Sequence, residues 1–229
     1  MGAQSVTCTN VVNNHNLSLI EQMKNIWFHE VDAGFSTFEA SSFDVVYGRA
    51  NLEHIHDPRG IAAEISRLLC SGGMVYLDGG PMWTCRHGHH VWVDAPGGAR
   101  YIFPNHDTFE PWEHLQHSHQ QILQRLVSRQ IPADHAKLIV DHVYHSDDQN
   151  RIAPSEIISA FEERPELDVF PIRVAVGANP PRINGISETD LLTGKLIIVA
   201  RKVSDRSELG LIEPYVRAGL PFLSERFII

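Results

Sequence analysis

Cysteine is scarce in this chain, and so is any concentration of positive charge. Only Cys8, Cys70 and Cys85 occur, an odd number in no metal-ligand spacing, so a disulfide framework or a cysteine-held zinc site is not indicated. Three reduced thiols are what a cytoplasmic protein carries. No run of about 18 apolar residues is present, which leaves no candidate transmembrane helix. Met1-Gly2-Ala3-Gln4 has no basic stretch leading into an apolar one, so nothing reads as a secretory signal. The formal charge is −9, and the basic residues are scattered rather than gathered on one segment. That balance argues against nucleic acid or an anionic membrane as a partner. No HExxH-type zinc signature occurs.

What the chain does have is 229 residues, 43% of them hydrophobic, enough for one sizeable core with an insertion. It also has 14 histidines, many between positions 87 and 145. The first 80 residues alternate apolar runs with helical patterns, as a parallel α/β sheet requires. Ser5–Thr9 is a short strand. A helix is expected with Leu19, Ile20, Met23, Ile26 and Trp27 on one face, overlapping a strand within Ile26–Val31. Phe43–Tyr47 is apolar and β-branched enough for a strand buried on both faces. Asp57-Pro58 opens a helix with the stripe Ile61, Ile65, Leu68 and Leu69, and Gly72-Gly73 is placed to end it. Met74–Leu77 is the next strand. Further helices are expected over Leu115–Leu126, Ala133–Tyr144 and Ser155–Glu163, with strands near Asp168–Val174 and Leu196–Ala200.

The block from Phe43 through Tyr47, Leu52-Glu53-His54 and Asp57-Pro58 resembles the fourth-strand motif of class I S-adenosylmethionine-dependent methyltransferases. The spacing onward to Ser71-Gly72-Gly73 and the following strand is similar to that family too. The resemblance implies a Rossmann-like α/β sheet with a loop and helix insertion after the fifth family strand. Residues 1–80 then form a partial cofactor-binding core, and 81–150 an insertion able to act as an acceptor lid. Residues 151–203 complete the same domain, and 204–229 are a C-terminal extension whose apolar residues dock on the body. S-adenosylmethionine is the implied cofactor, and the acceptor is a small molecule, sugars among them; the oligomeric state is left open.

By the same resemblance Asp32 and Ala33 close the third family strand, where an acidic side chain and a backbone N–H hold adenine. Asn10 stands where an acid usually holds the ribose hydroxyls, with one fewer oxygen and no charge. Arg49 and His54 lie at the cofactor's edge. The family's first strand and glycine-rich turn have no counterpart in the sequence, so the second and fourth family strands are expected to lack their shared neighbour. A truncated reading frame and a degenerate member that binds without catalysing both account for this.

Asp78 ends the fifth family strand, at the carboxyl edge where open α/β sheets place ligands. His89 and His90 follow in the loop after Gly88, and one of these imidazoles is a candidate general base for a hydroxyl acceptor. Loop hydrogen bonding is the plainer role for them, and capping a turn the plainer one for Asp78. His87, His89 and His90 with Asp94, or His114, His117 and His119, could instead hold a metal for a hydrolase, although no metal is expected. Trp83, Trp92, Phe103 and Trp112 either line an acceptor pocket or pack the insertion. Arg182, beside Pro180-Pro181, is a candidate for holding an anionic acceptor.

Overall fold

The computed structural model describes residues 3–10, 24–32, 34, 36–104, 108–204, 206–214 and 216. Two short strands, β1 (Val6–Asn10) and β2 (Ile26–Glu30), pair in parallel from Val6↔Ile26 to Asn10↔Glu30. Ile26 and Trp27 are strand residues, which corrects their assignment to the preceding helical stripe. Its other members, Leu19, Ile20 and Met23, lie outside the described residues.

A second sheet has the order β3 (Phe43–Gly48), β4 (Leu69–Gly79), β8 (Thr193–Lys202), β7 (Leu167–Ala175). β3 and β4 are parallel, while β8 runs antiparallel to both of its neighbours. Helices α1 (Pro58–Leu68) and α5 (Pro154–Glu162) cover one face. There Ala62, Ile65, Ile157 and Phe161 meet Val75, Leu77, Leu196 and Ile198, all buried. On the opposite face Ile212 and Val216 pack beside Val199, Tyr76 and Phe170.

Asp57 starts α1 as its sequence requires: the carboxylate accepts from Gly60 N at 2.9 Å, and Pro58 supplies the first-turn φ. The end differs from expectation. α1 stops at Leu68, before Gly72-Gly73, because other segments bind its last carbonyls. Ser41 N donates to Arg67 O, Ser42 N to Leu68 O, and Lys202 Nζ to Ser66 O. With those acceptors satisfied, no left-handed glycine is needed. Gly72 instead takes its φ of +80° within β4, where the β3 register shifts.

β3 is not buried on both faces. Val45 and Tyr47 are each 58% exposed, because β3 pairs only with β4. Among the described residues no strand bonds the outer edge of β1 or β3, and the two sheets share no strand pairing.

The insertion has its own core. A hairpin of β5 (Trp92–Asp94) and β6 (Arg100–Ile102) packs with α2 (Glu113–Gln116), α3 (His119–Ser128) and α4 (Ala133–His145). Val91, Tyr101, Phe109, Ile122, Leu126 and Ile139 are buried together. The single helix expected over Leu115–Leu126 is broken at His117. Ser118 and Gln121 form a capping box that starts α3 afresh. A last short helix, α6 (Glu188–Leu192), leads into β8. Among the described residues, no helix is long and apolar enough to cross a membrane.

Candidate active site

The carboxyl ends of β3 and β4 are clipped together by one side chain. Asp78 is 4% exposed and accepts from Ala50 N and Lys195 Nζ, both at 3.0 Å, and from Tyr76 Oη at 3.1 Å. Burial pushes its pKa up, but these donors outweigh burial and hold it below the usual carboxylate range. Both of its oxygens are occupied by these donors, which suits Asp78 to positioning the chain around it. Its effect reaches the loop after β3, where Ala50 takes a positive φ of 51° and Asn51 N donates to Asp78 O.

Glu53, which the motif carries but to which sequence reasoning assigned no role, lies against the end of β4. It is 3% exposed, and burial raises its pKa. A Cβ at Gly79 would stand 2.2 Å from Glu53 Oε2, so this close approach requires glycine. The signal available in the sequence was a buried-type position, between Leu52 and His54, occupied by an acid opposite Gly79-Gly80.

His54 and His90 come together at this edge, their ring centroids 5.8 Å apart. His54 Nδ1 contacts Asp148 O. His90 is partly buried, with a φ of +42° that is rare for a residue bearing Cβ. Its Nδ1 is buried and has no hydrogen-bond partner among the described residues. Burial, with His54 and His142 nearby, pulls its pKa down to about 4, against the attraction of Asp148. The ring is therefore neutral at pH 7.

His89 has a different environment, although it is the next residue. It is 3% exposed, stacked on Phe109 at 4.7 Å, and its Nδ1 accepts from Val91 N at 3.3 Å. Burial first, then His114 and its other histidine neighbours, takes its pKa to about 2. It is a buried side chain, whereas His90 is half-buried. His114 is likewise buried, donates from Nε2 to Trp83 O at 2.8 Å, and has its pKa lowered to about 4 by burial. Among the described residues no three His, Cys, Asp or Glu side chains group as a metal site.

The residues expected on the adenosine side lie by the other strands. Asn10 ends β1, opposite Glu30. Asp32 follows β2, exposed, with Oδ1 accepting from Gly34 N at 2.8 Å. Ala33 lies outside the described residues. Arg49 is exposed beyond β3, as is Arg182 in its loop. Asn51 Oδ1 is buried without a partner among the described residues, held where a Cβ at Gly48 would meet Asn51 Nδ2 at 2.1 Å. A carboxylate and an unsatisfied amide oxygen are acceptors suited to the amino and hydroxyl donors of an adenosine.

Residues 5–77 match the family model of a methyltransferase domain. Over that segment the chain is similar to a methyltransferase domain. The match runs from β1 almost to the end of β4, and so takes in Asn10, Asp32, Arg49, Asn51 and His54. Among solved structures, an S-adenosylmethionine-dependent methyltransferase from Mesorhizobium loti is similar at 13% identity and a TM-score of 0.50, covering 88% of this chain and 82% of that one. The N-methyltransferase NodS from Bradyrhizobium japonicum, in complex with S-adenosylhomocysteine, gives 14% identity and a TM-score of 0.42, over 86% and 66% of the two chains. A comparison with curated protein sequences gives no match. The Mesorhizobium loti protein shares the fold, and Asp32 and Asn51 offer acceptors that would fit the adenosine end of S-adenosylmethionine.

Proposed function

We propose that this methyltransferase acts on a hydroxyl group of a small molecule, sugars among them, with His90 as the group that takes the proton. The observation that carries this reading is the unpartnered Nδ1 of His90, neutral at pH 7 and beside His54 at the carboxyl edge. Asp32, Asn10 and Asn51 would hold the adenosine of S-adenosylmethionine. That cofactor, when bound, supplies an electrophilic methyl group on a sulfonium. Displacement at such a carbon is in line, so the protein chiefly orients the acceptor oxygen and relieves it of its proton. In this reading His90 Nδ1 accepts that proton as the oxygen gains the methyl group. Asp78 holds the Ala50-Asn51 loop still, and the insertion over the edge limits water. The three free thiols support a cytoplasmic setting.

His90→Gly is the most direct test, because glycine keeps the positive φ without strain while removing the imidazole. We expect the rate of methyl transfer to fall by about 10²-fold or more, with the affinity for S-adenosylhomocysteine unchanged by calorimetry. Full activity in the variant would exclude His90 as the base.

The separate sheets, together with Asn10 in place of an acid, favour a second reading in which the chain binds a partner without catalysis. Steady turnover of S-adenosylmethionine with any small hydroxyl acceptor would end that reading.

A further inference from the structure

The insertion carries a shallow groove of about 460 Å³ between the β5 strand and the second half of α4. Its apolar walls are Trp92, 55% exposed, and Leu138, 40% exposed. Asp94, Asp141, His142 and Ser146 surround them. The backbone that carries the indole is held in place: Trp92 pairs with Ile102 in the hairpin, and its backbone N–H donates to His142 Nε2 at 3.2 Å. An indole has only two side-chain torsions, so a ligand that covers it costs little conformational freedom.

The charges around the indole select among ligands. Asp94 is ion-paired with Arg100, and Asp141 with Lys137, which partly offsets the charge of the two carboxylates lining the groove. An organic cation would have to compete with Arg100 and Lys137 for them, and an anion would meet carboxylate oxygens. Each carboxylate nevertheless has several lone-pair directions beyond the one its cation occupies. Ser146 adds a hydroxyl whose proton goes to His142 O at 2.6 Å, leaving its oxygen an acceptor. An apolar plate bordered by ion-paired acceptors matches a ligand with one C–H face and a ring of hydroxyl donors.

From this we propose that the Trp92 groove binds a neutral pyranose ring, stacked by its C–H face on the indole with its hydroxyls directed to Asp94, Asp141 and Ser146. His142 connects the groove to the active edge, since it lies behind Trp92 and its Nε2 is 3.1 Å from the carbonyl of His90. The site is defined by binding alone and does not require that the sugar be methylated.

Saturation-transfer NMR tests this on the 229-residue chain without cofactor. The probes are methyl β-glucopyranoside, methyl β-galactopyranoside and N-acetylglucosamine, with choline and glucuronate as charged controls. At least one neutral sugar is expected to receive saturation. The signal should fall at least fivefold in Trp92→Ala, stay within twofold in Trp92→Tyr, and weaken at least threefold in Asp141→Ala on the opposite wall. Two variants on different elements keep the test intact should one of them misfold. No Trp92-dependent signal from any neutral sugar overturns the proposal, as does choline binding with the same dependence on Trp92. Sugar binding without any methyl transfer would count against the proposed function and leave this inference standing.

Discussion

Lowering the pH from 6.5 to 5 is expected to remove about 3 kcal/mol of folding stability. His89 and His114 are each almost fully buried, with pKa values pulled down to about 2 and about 4, chiefly by burial. In the unfolded chain both titrate near the ordinary histidine value of about 6.5. Their folded pKa values are depressed, so the unfolded state binds more protons in this window. Their contribution is complete about one pH unit above 6.5 and is lost progressively as pH falls toward the folded values. Two groups that start half-protonated in the unfolded chain and reach a slope of about 1.4 kcal/mol per pH unit lose about 1.6 kcal/mol each over this range. That is a large share of the roughly 5–15 kcal/mol that holds a domain together. Urea unfolding at pH 7.5, 6.5 and 5, followed through the tryptophans of the insertion, measures it. Stability that is flat across this range would mean that His89 and His114 are not buried as neutral rings.

The second large effect is expected at Asp190→Ala, with a loss of about 3–5 kcal/mol. Asp190 is 3% exposed and joins three elements: it accepts from Ser155 N and Oγ at the start of α5, from Ser187 Oγ before α6, and from Arg173 of β7 at 2.8 Å. Burial raises its pKa, and these donors lower it by more. Removing the carboxylate leaves the Arg173 guanidinium and two hydroxyls without their acceptor. Asp190→Asn, which restores one oxygen, should recover part of the loss. A change below about 1 kcal/mol in Asp190→Ala would show that water replaces the carboxylate at no cost.

Much of the fold was legible where the controlling contacts are local. Asp57-Pro58 opens α1 because a cap and a first-turn proline act within four residues. The end of α1 was not legible, since Ser41, Ser42 and Lys202 take its last carbonyls from positions distant in sequence. The apolar run of β3 was read as buried on both faces. Such a run reports what a strand can bury, whereas the exposure of Val45 and Tyr47 depends on which neighbours are present. Asn10 and Glu30 fell opposite one another as two adjacent parallel strands require.

The site was legible in outline only. The Leu52-Glu53-His54 motif located the edge, but nothing in it distinguished the positioning role of Asp78 from a catalytic one. That distinction rests on Lys195, 117 residues further on. His89 and His90 are adjacent and chemically identical. One stacks on Phe109 while the other turns at a φ of +42°, a backbone choice that no residue pattern announced.

Isothermal calorimetry with S-adenosylhomocysteine on the 229-residue chain, and on its Asp32→Ala variant, addresses the central claim most directly. Asp32 is exposed at the end of β2 and lies outside both sheet cores, so the substitution leaves the fold intact. The account predicts saturable one-to-one binding to the parent chain, weakened at least tenfold by Asp32→Ala. No binding, or binding indifferent to Asp32, would contradict it.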